Sequence, residues 1–399
     1  MDFSTLQPWQ EMDEAGVIYE TESIYARLLK LTDLRKARGK QYSLVTILMI
    51  LLLAKLSGQD KPVEIADWAK NNQGRLVALL KLRRNKMPNH NTYRRVLAYK
   101  VYREEIEQLV QEHHARGAQG NHYGVDGKTV RGTRQVNALR GEHLLSVYDI
   151  QEGKVLVQME VDSKENEIVV APQALSSLDL TGKLISADAM HTQRAFSAQI
   201  VDAGGDYIFP VKENQPRLYQ NIQQLFSPEH PNPGFGKINT DFSVATQVSK
   251  GHGRLEIRTI TTSAMLNDYV DWPGLGQVYR LERQFNWLRA GTCYKQTCEI
   301  EYGIASLTRS EATPLQVLQN RREHWYIETG LHYRRDVTLR EDATRMTTGD
   351  MGGIMAAINN LILALIKQAG FRNAAQGRRW FAGHIERAFV LLTTPNSRL

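Results

Sequence analysis

Three acids lying far apart in this 399-residue chain, Asp126, Asp188 and Glu328, have the side-chain type that holds hard divalent metal ions. Two magnesium ions roughly 3.5–4 Å apart can activate an oxygen nucleophile on one side of a phosphorus and stabilise the leaving oxygen on the other. Such a set performs phosphodiester cleavage and transfer. Each acid also has a plainer reading. Asp126 precedes Gly127, and Asp-Gly is a favoured turn pair. Asp188 is harder to explain that way, because Ala189-Met190-His191 supplies no obvious turn. Helical spacing puts Arg321, His324, Glu328, His332 and Arg335 on one face. A carboxylate there can hold metal while its cationic neighbours, Arg322 included, grip phosphates. Glu323, Asp336, Glu341 and Asp342 are rival acids, and a solvated charge cluster is the plain alternative. The residues alone leave that choice open.

The acids meet only if the fold brings them together. Apolar runs predict a short strand over 123–125 ending at Asp126, then strands over 144–148 and 155–161 joined as a hairpin by Gln151-Glu152-Gly153. A helix over 167–178, a strand over 184–187 ending at Asp188, a helix over 193–203 stopped by Gly204-Gly205, and a strand over 207–211 follow. Strand, strand, strand, helix, strand, helix, strand is the order of the ribonuclease H-like fold, whose first and fourth strands are neighbours. Asp126 and Asp188 then converge at one sheet edge. Residues 212–300 differ: a Pro/Gly-rich stretch over 228–236 gives way to alternating segments at 255–261 and 294–302, read as a mainly β insertion. Thr313 as N-cap and Pro314 in the first turn open a helix, and 354–368 is apolar enough for a buried one. The fold class is therefore α/β. It divides into an N-terminal helical region (1–118), the first part of the catalytic core (119–211), the β insertion (212–300), and C-terminal helices with a basic tail (301–399).

The N-terminal region predicts helices over 44–56, 63–71, 74–82 and 92–114, the last capped by Asn91. Between Lys70 and Lys100 it carries nine Lys or Arg, with Arg83, Arg84, Arg94 and Arg95 among them, and no acid. That density suits a helix laid against DNA, or a solvated helical face. The formal charge of +7 also favours a polyanionic partner. Cys293 and Cys298 lack zinc spacing and read as a buried or idle thiol pair. The apolar run 44–54 is too short to span a bilayer, which takes about 20 residues, and the start, with Asp2, Glu11, Asp13 and Glu14, is unlike a signal peptide. A cytoplasmic, nucleoid-associated protein is the expectation.

Several blocks stand out along the chain. They are Gly124-Val125-Asp126-Gly127-Lys128-Thr129-Val130-Arg131-Gly132, Ser163-Lys164-Glu165-Asn166-Glu167-Ile168 and Ile185-Ser186-Ala187-Asp188-Ala189-Met190-His191-Thr192-Gln193. Gly204-Gly205-Asp206-Tyr207, Lys212-Glu213-Asn214-Gln215 and Gly251-His252-Gly253-Arg254-Leu255-Glu256-Ile257-Arg258 follow. The last block runs from Arg322-Glu323-His324-Trp325-Tyr326-Ile327-Glu328 through Leu331-His332 and Asp336-Val337 to Glu341-Asp342. In content and order these blocks resemble the H-repeat-associated family of bacterial insertion-sequence transposases, over about residues 40–370. Tyr333 stands where the family usually has Trp, and Arg335 where it often has an apolar residue.

The resemblance implies a DDE active site of Asp126, Asp188 and Glu328, two Mg2+ ions for which Mn2+ substitutes, and an N-terminal helical DNA-binding region over residues 43–114 that includes Pro88-Asn89-His90-Asn91-Thr92-Tyr93-Arg94-Arg95-Val96. It implies DNA as partner, both element terminal repeats and target, and a homodimer or larger assembly to pair two DNA ends. Lys128, Arg131, Lys212 and Arg254 are candidate phosphate contacts beside the acids, with Gln215 facing the same edge. His252 has no partner at ligand spacing. Trp287 and Trp325 read as core residues ahead of base-stacking ones. Arg372, Arg378, Arg379 and Arg387 form a basic tail suited to DNA backbone. Two other functions fit: an idle DNA-binding descendant of such an enzyme, and a magnesium-dependent nuclease without joining.

Overall fold

The computed structural model describes residues 7, 9–36, 38, 40–115, 120–136, 138–162, 166–227, 241–251, 253–289 and 292–395. Asp2, residues 163–165, the stretch 228–236 and His252 lie outside the described residues. A hairpin of β1 (Gln10–Met12) and β2 (Ile18–Glu20) leads into six helices: α1 (Ile24–Leu29), α2 (Leu44–Leu56), α3 (Pro62–Asn71), α4 (Gln73–Leu79), α5 (His90–Val96) and α6 (Lys100–Ala115). The expected single helix over 92–114 is two. Asn89, not Asn91, caps α5, and the chain turns at Leu97, which is fully buried with Tyr93 and Val96. Beyond the turn, Tyr102 and Ile106 pack into the same core from α6, so tertiary contacts break a run that lacks any local breaker.

Then come β3 (His122–Thr129), β4 (His143–Asp149), β5 (Lys154–Val161), α7 (Glu167–Ser176), β6 (Leu184–Ala187), α8 (Arg194–Asp202), β7 (Asp206–Val211) and α9 (Pro216–Leu225). The order matches the expectation. β3 pairs parallel to β6 and antiparallel to β4, and β6 pairs parallel to β7, consistent with a ribonuclease H-like core. Along β4 the faces alternate: Leu145 and Val147 pack under α7 and α8, while Leu144 and Tyr148 join the opposite core. Both sheet faces are thus covered, as the near-continuous apolar strands require.

β8 (Ser243–Gly251), β9 (Arg254–Ser263), β10 (Gln277–Arg289) and β11 (Thr292–Ala305) do not form a separate unit. β11 pairs antiparallel with β7 through Tyr302 and Val211 down to Ala305 and Ile208, giving one nine-stranded sheet in the order β5-β4-β3-β6-β7-β11-β10-β9-β8. Position 300 falls inside β11. The insertion is a continuation of the sheet.

α10 (Pro314–Glu323) opens as expected, with Thr313 and Gln316 completing a capping box. α11 (Trp325–Ile327) runs into two π-helical turns, Glu328–His332 and Arg334–Thr338. α12 (Met351–Gln368), α13 (Ala374–Gly383) and α14 (Ile385–Thr393) finish the fold. α12 is long and apolar enough to cross a membrane, but 89% of its apolar window is buried inside the protein, so it is a core helix. It shares one apolar core with α2 and α6. Each fully buried Leu or Ile there contributes about 1.5–3 kcal/mol.

Arg378 is not part of a DNA-tracking tail. It is buried: Nε donates to the Lys55 carbonyl, Nη2 to Asp60 at 2.8 Å, and Nη1 to the Thr338 carbonyl. Asp60 also holds the fully buried Lys55, whose ammonium burial pushes to lower pKa. One guanidinium thus ties the N-terminal helices to the π-helical segment. Arg378→Met is expected to cost about 3 kcal/mol, because it strips buried partners. Urea unfolding followed by tryptophan fluorescence measures this, and the shared core predicts one transition for the whole chain.

Candidate active site

The last parallel pair of β3 and β6 is Val125 with Ala187, so the next residues, Asp126 and Asp188, lie side by side. β3 itself runs on to Thr129 against β4, and Asp126-Gly127 is therefore strand, not turn. Gly127 lies close under Glu167: a Cβ there would sit 2.3 Å from Glu167 Oε1, so the carboxylate end would have to shift. Asp126 Oδ1 accepts from the Gly127 N–H at 2.9 Å, and His332 Nε2 lies 3.1 Å from Oδ2. Asp188 caps a 3-10 turn, Ala189–His191, that the sequence did not reveal. Its side chain is 64% exposed, with His324 Nε2 at 3.6 Å. The polar contact with His324 holds the Asp188 carboxyl below its ordinary range, against partial burial, and the charges of Arg321 and Lys212 add to this.

Glu328 opens the first π-helical turn and is exposed. Four residues before it, His324 reaches Asp188; four after, His332 reaches Asp126. The helix therefore crosses the ends of both strands with Glu328 between the two contacts. Its Ile327 packs on Gly124, where a Cβ would meet it at 3.7 Å, and Gly330 leaves room for the Tyr148 hydroxyl. π-helical turns of this kind concentrate at functional sites. Among the described residues, no three His, Cys, Asp or Glu side chains close around one point as metal ligands do.

The rival acids are engaged elsewhere. Glu323 meets His122 Nδ1 at 3.0 Å, Asp336 meets Lys128 at 2.7 Å, and Glu341 is buried against Arg335. Asp342 accepts from the Arg131 backbone N–H and from Lys128. Three cations expected at DNA are likewise committed. Lys128 is 8% exposed among Asp336, Glu341 and Asp342. Arg321 pairs with Glu301 at 2.7 and 3.2 Å, and Arg335 has no exposed side chain. Charges so buried need partners, and these have them. Arg131, Lys212 and Arg322 are exposed, as are Arg83 and Arg84 between α4 and α5, Arg94 and Arg95 on α5, and Arg372, Arg379 and Arg387. Gln215 donates to the Thr192 carbonyl and stays within the fold.

A cavity of about 750 Å3 separates the β9–β10 face from α10 and α11, lined by Arg258, Phe285, Arg322, Trp325 and Tyr326. Trp325 is 57% exposed there, so it is not a core residue. Arg254 lies over Phe285 and Trp287, at 5.0 and 5.2 Å from their ring centres. A second cavity, about 740 Å3, opens at Asp188 beside Lys212 and Asn214. Cys293 and Cys298 are exposed and unpaired rather than buried.

Sequence reasoning missed two polar clusters. His122, Ser186 and His324 form one on the helix side of the sheet. On the other side Glu167 bridges His143 at 2.8 Å and His191 at 3.2 Å. The period of two along β3, which puts His122 on the face of Asp126, was the available signal.

A Transposase DDE domain model matches residues 117–365, and a DDE_Tnp_1-associated model matches 25–114. The chain belongs to the DDE transposase family. Its relatives include H repeat-associated transposases: YhhI of Escherichia coli K12, which carries that name, is 26% identical over 380 residues, covering 91% of this chain and 97% of its own. YbfL of the same strain matches to the same extent, also at 26% identity. A protein of Xanthobacter autotrophicus from the dhlA 3′ region is 34% identical over 62% of this chain and 83% of its own. A solved piggyBac transposase synaptic complex with hairpin DNA aligns over 93% of this chain and 78% of that one at 10% identity, with a TM-score of 0.46, too loose a likeness to carry an argument.

Burial raises the Glu167 carboxyl, but hydrogen bonds from His143 and His191 outweigh it and bring it to about 2. A depressed carboxyl stabilises the fold fully above its unfolded value near 4.3 and loses that contribution as pH falls through about 2. Glu167→Gln is therefore expected to lower stability at pH 7 by on the order of 3 kcal/mol and to flatten the acid limb of the Tm profile between pH 5 and 2, as calorimetry reads.

Proposed function

We propose that the protein is an insertion-sequence DNA transposase that cuts DNA at the element ends and joins the freed 3′ hydroxyl to target DNA. The observation that carries this reading is the side-by-side placement of Asp126 and Asp188 under a helix bearing Glu328, within a chain of the DDE family. The donor chemistry fits divalent metal of the magnesium class: hard oxygens, with imidazoles placed behind two of the acids as outer partners. Asp126, Asp188 and Glu328 would hold the ions, which supply activation of the nucleophile and neutralisation of the leaving oxygen. Two of the three carboxylates, Asp188 and Glu328, are exposed. His324 and His332 tie the ends of the two strands to the helix.

DNA recognition falls to the exposed cations. Lys212 lines the cavity at Asp188, Arg322 lines the other beside the half-buried Arg254, Arg131 is exposed just past the end of β3, and Arg83, Arg84, Arg94 and Arg95 form the N-terminal contact surface. The working complex is a dimer or larger, because two ends must be paired, and it acts on the nucleoid in the cytoplasm. Asp126→Ala, Asp188→Ala and Glu328→Ala are each expected to lower magnesium-dependent cleavage of element-end DNA by at least about 100-fold, with DNA affinity nearly unchanged. A gel assay reads both cleavage and joined products. Full cleavage by any variant removes that residue from the site, and cleavage without joining by the native chain reduces the activity to a nuclease.

Replacing Arg83, Arg84, Arg94 and Arg95 with Ala is expected to weaken binding to all duplexes alike. For every phosphate that such a variant leaves unneutralised, the slope of log affinity against log salt becomes shallower by about 0.9. Fluorescence anisotropy across a salt series checks this.

A further inference from the structure

Ser186 lies in the middle of β6 between Ile185 and Ala187, with no exposed surface, where an apolar residue would pack at lower cost. Its hydroxyl oxygen is 2.9 Å from His122 Nε2 and 3.1 Å from His324 Nδ1. Both imidazoles are buried as well. The other nitrogen of His122 meets Glu323 Oε2 at 3.0 Å, and that of His324 faces Asp188 Oδ1 at 3.6 Å. A hydroxyl can donate to one ring and accept from the other, so Ser186 fixes the orientation of both.

The three members come from three different elements, and each precedes one of the acids on its own element. His122 is four residues before Asp126 on β3, Ser186 is two before Asp188 at the end of β6, and His324 is four before Glu328 on the crossing helix. The period of two along a strand puts His122 on the face of Asp126 and Ser186 on that of Asp188. A single buried hydroxyl therefore joins the three elements on which the acids stand.

We propose that His122, Ser186 and His324 are positioning residues that set the spacing of Asp126, Asp188 and Glu328 for divalent metal. This rests on the metal-binding role of those acids proposed above. The geometry assigns Ser186 the central place, since its hydroxyl meets both imidazoles and lies two residues from an acid. Outer partners of metal-binding side chains typically change metal affinity by about 10–100-fold when removed.

The test uses the full chain and Mn2+ as probe, with free ion counted by electron paramagnetic resonance. Ser186→Ala is expected to raise the Mn2+ Kd by about 10–100-fold, while Ser186→Thr, which keeps the hydroxyl, stays within about 3-fold of the native value. Asp188→Ala, the control for the site itself, loses the binding. The Mg2+ concentration for half-maximal cleavage is expected to shift in parallel, with DNA Kd unmoved. Native affinity in Ser186→Ala beside lost binding in Asp188→Ala overturns the positioning role and leaves the site intact. Equal losses in Ser186→Ala and Ser186→Thr overturn it too, because shape and not the hydroxyl would then matter. Absence of Mn2+ binding in the native chain overturns the site and the positioning role together. Should Ser186→Ala fail to fold, His122→Gln decides: weakened Mn2+ binding supports the proposal, and native binding overturns it.

Discussion

The parallel pairing of β3 with β6 is the constraint on which the rest of the structure depends. Its last pair, Val125 with Ala187, fixes where the two strand-borne acids emerge. A slip of one residue would turn every side chain of one strand to the opposite face and send its acid into the apolar layer under α7 and α8. Apolar side chains guard against that slip: Val125, Ile185 and Ala187 are fully buried on that side, while Gly124 leaves space on the other for Ile327. Sheet register and helix placement are thus two aspects of one packing solution.

Much of the charge that surrounds the site is committed to building it. Lys128 on β3 holds Asp336 and Asp342 of the segment after the helix, and Arg335 holds Glu341, which also accepts from Asn359 of α12. Buried ions of this kind contribute little net stability, yet removing one partner is costly. The charged blocks resembling the transposase family therefore contain more scaffold than chemistry. Glu328 stands apart as an exposed acid on the same helix.

The core strands and their order were legible because hydrophobic runs and turn residues report burial directly, and the neighbouring first and fourth positions followed only from matching that order to the ribonuclease H-like fold. So was the Thr313-Pro314 helix start, a local signal with a local cause. The length of β3 was not, because Asp126-Gly127 has turn chemistry yet continues in the ladder with β4 as far as Thr129. Nor was the joining of β11 to β7, since alternation defines a strand but not its neighbour. The acids were found by resemblance more than by spacing. Their partners, His122 and Ser186 above all, stayed hidden because their roles arise from side chains that meet across 64 and 138 residues of chain.

The union of β11 with β7 has a mechanical meaning. β7 alone separates β11 from the strand that ends at Asp188. The long β10–β11 ribbon is thus a lever whose root lies two hydrogen-bonded ladders from the strand that leads into that acid. A load applied at its tip travels through backbone ladders instead of through a loose tether, so bending of the ribbon and the geometry of the strand ends are not independent variables.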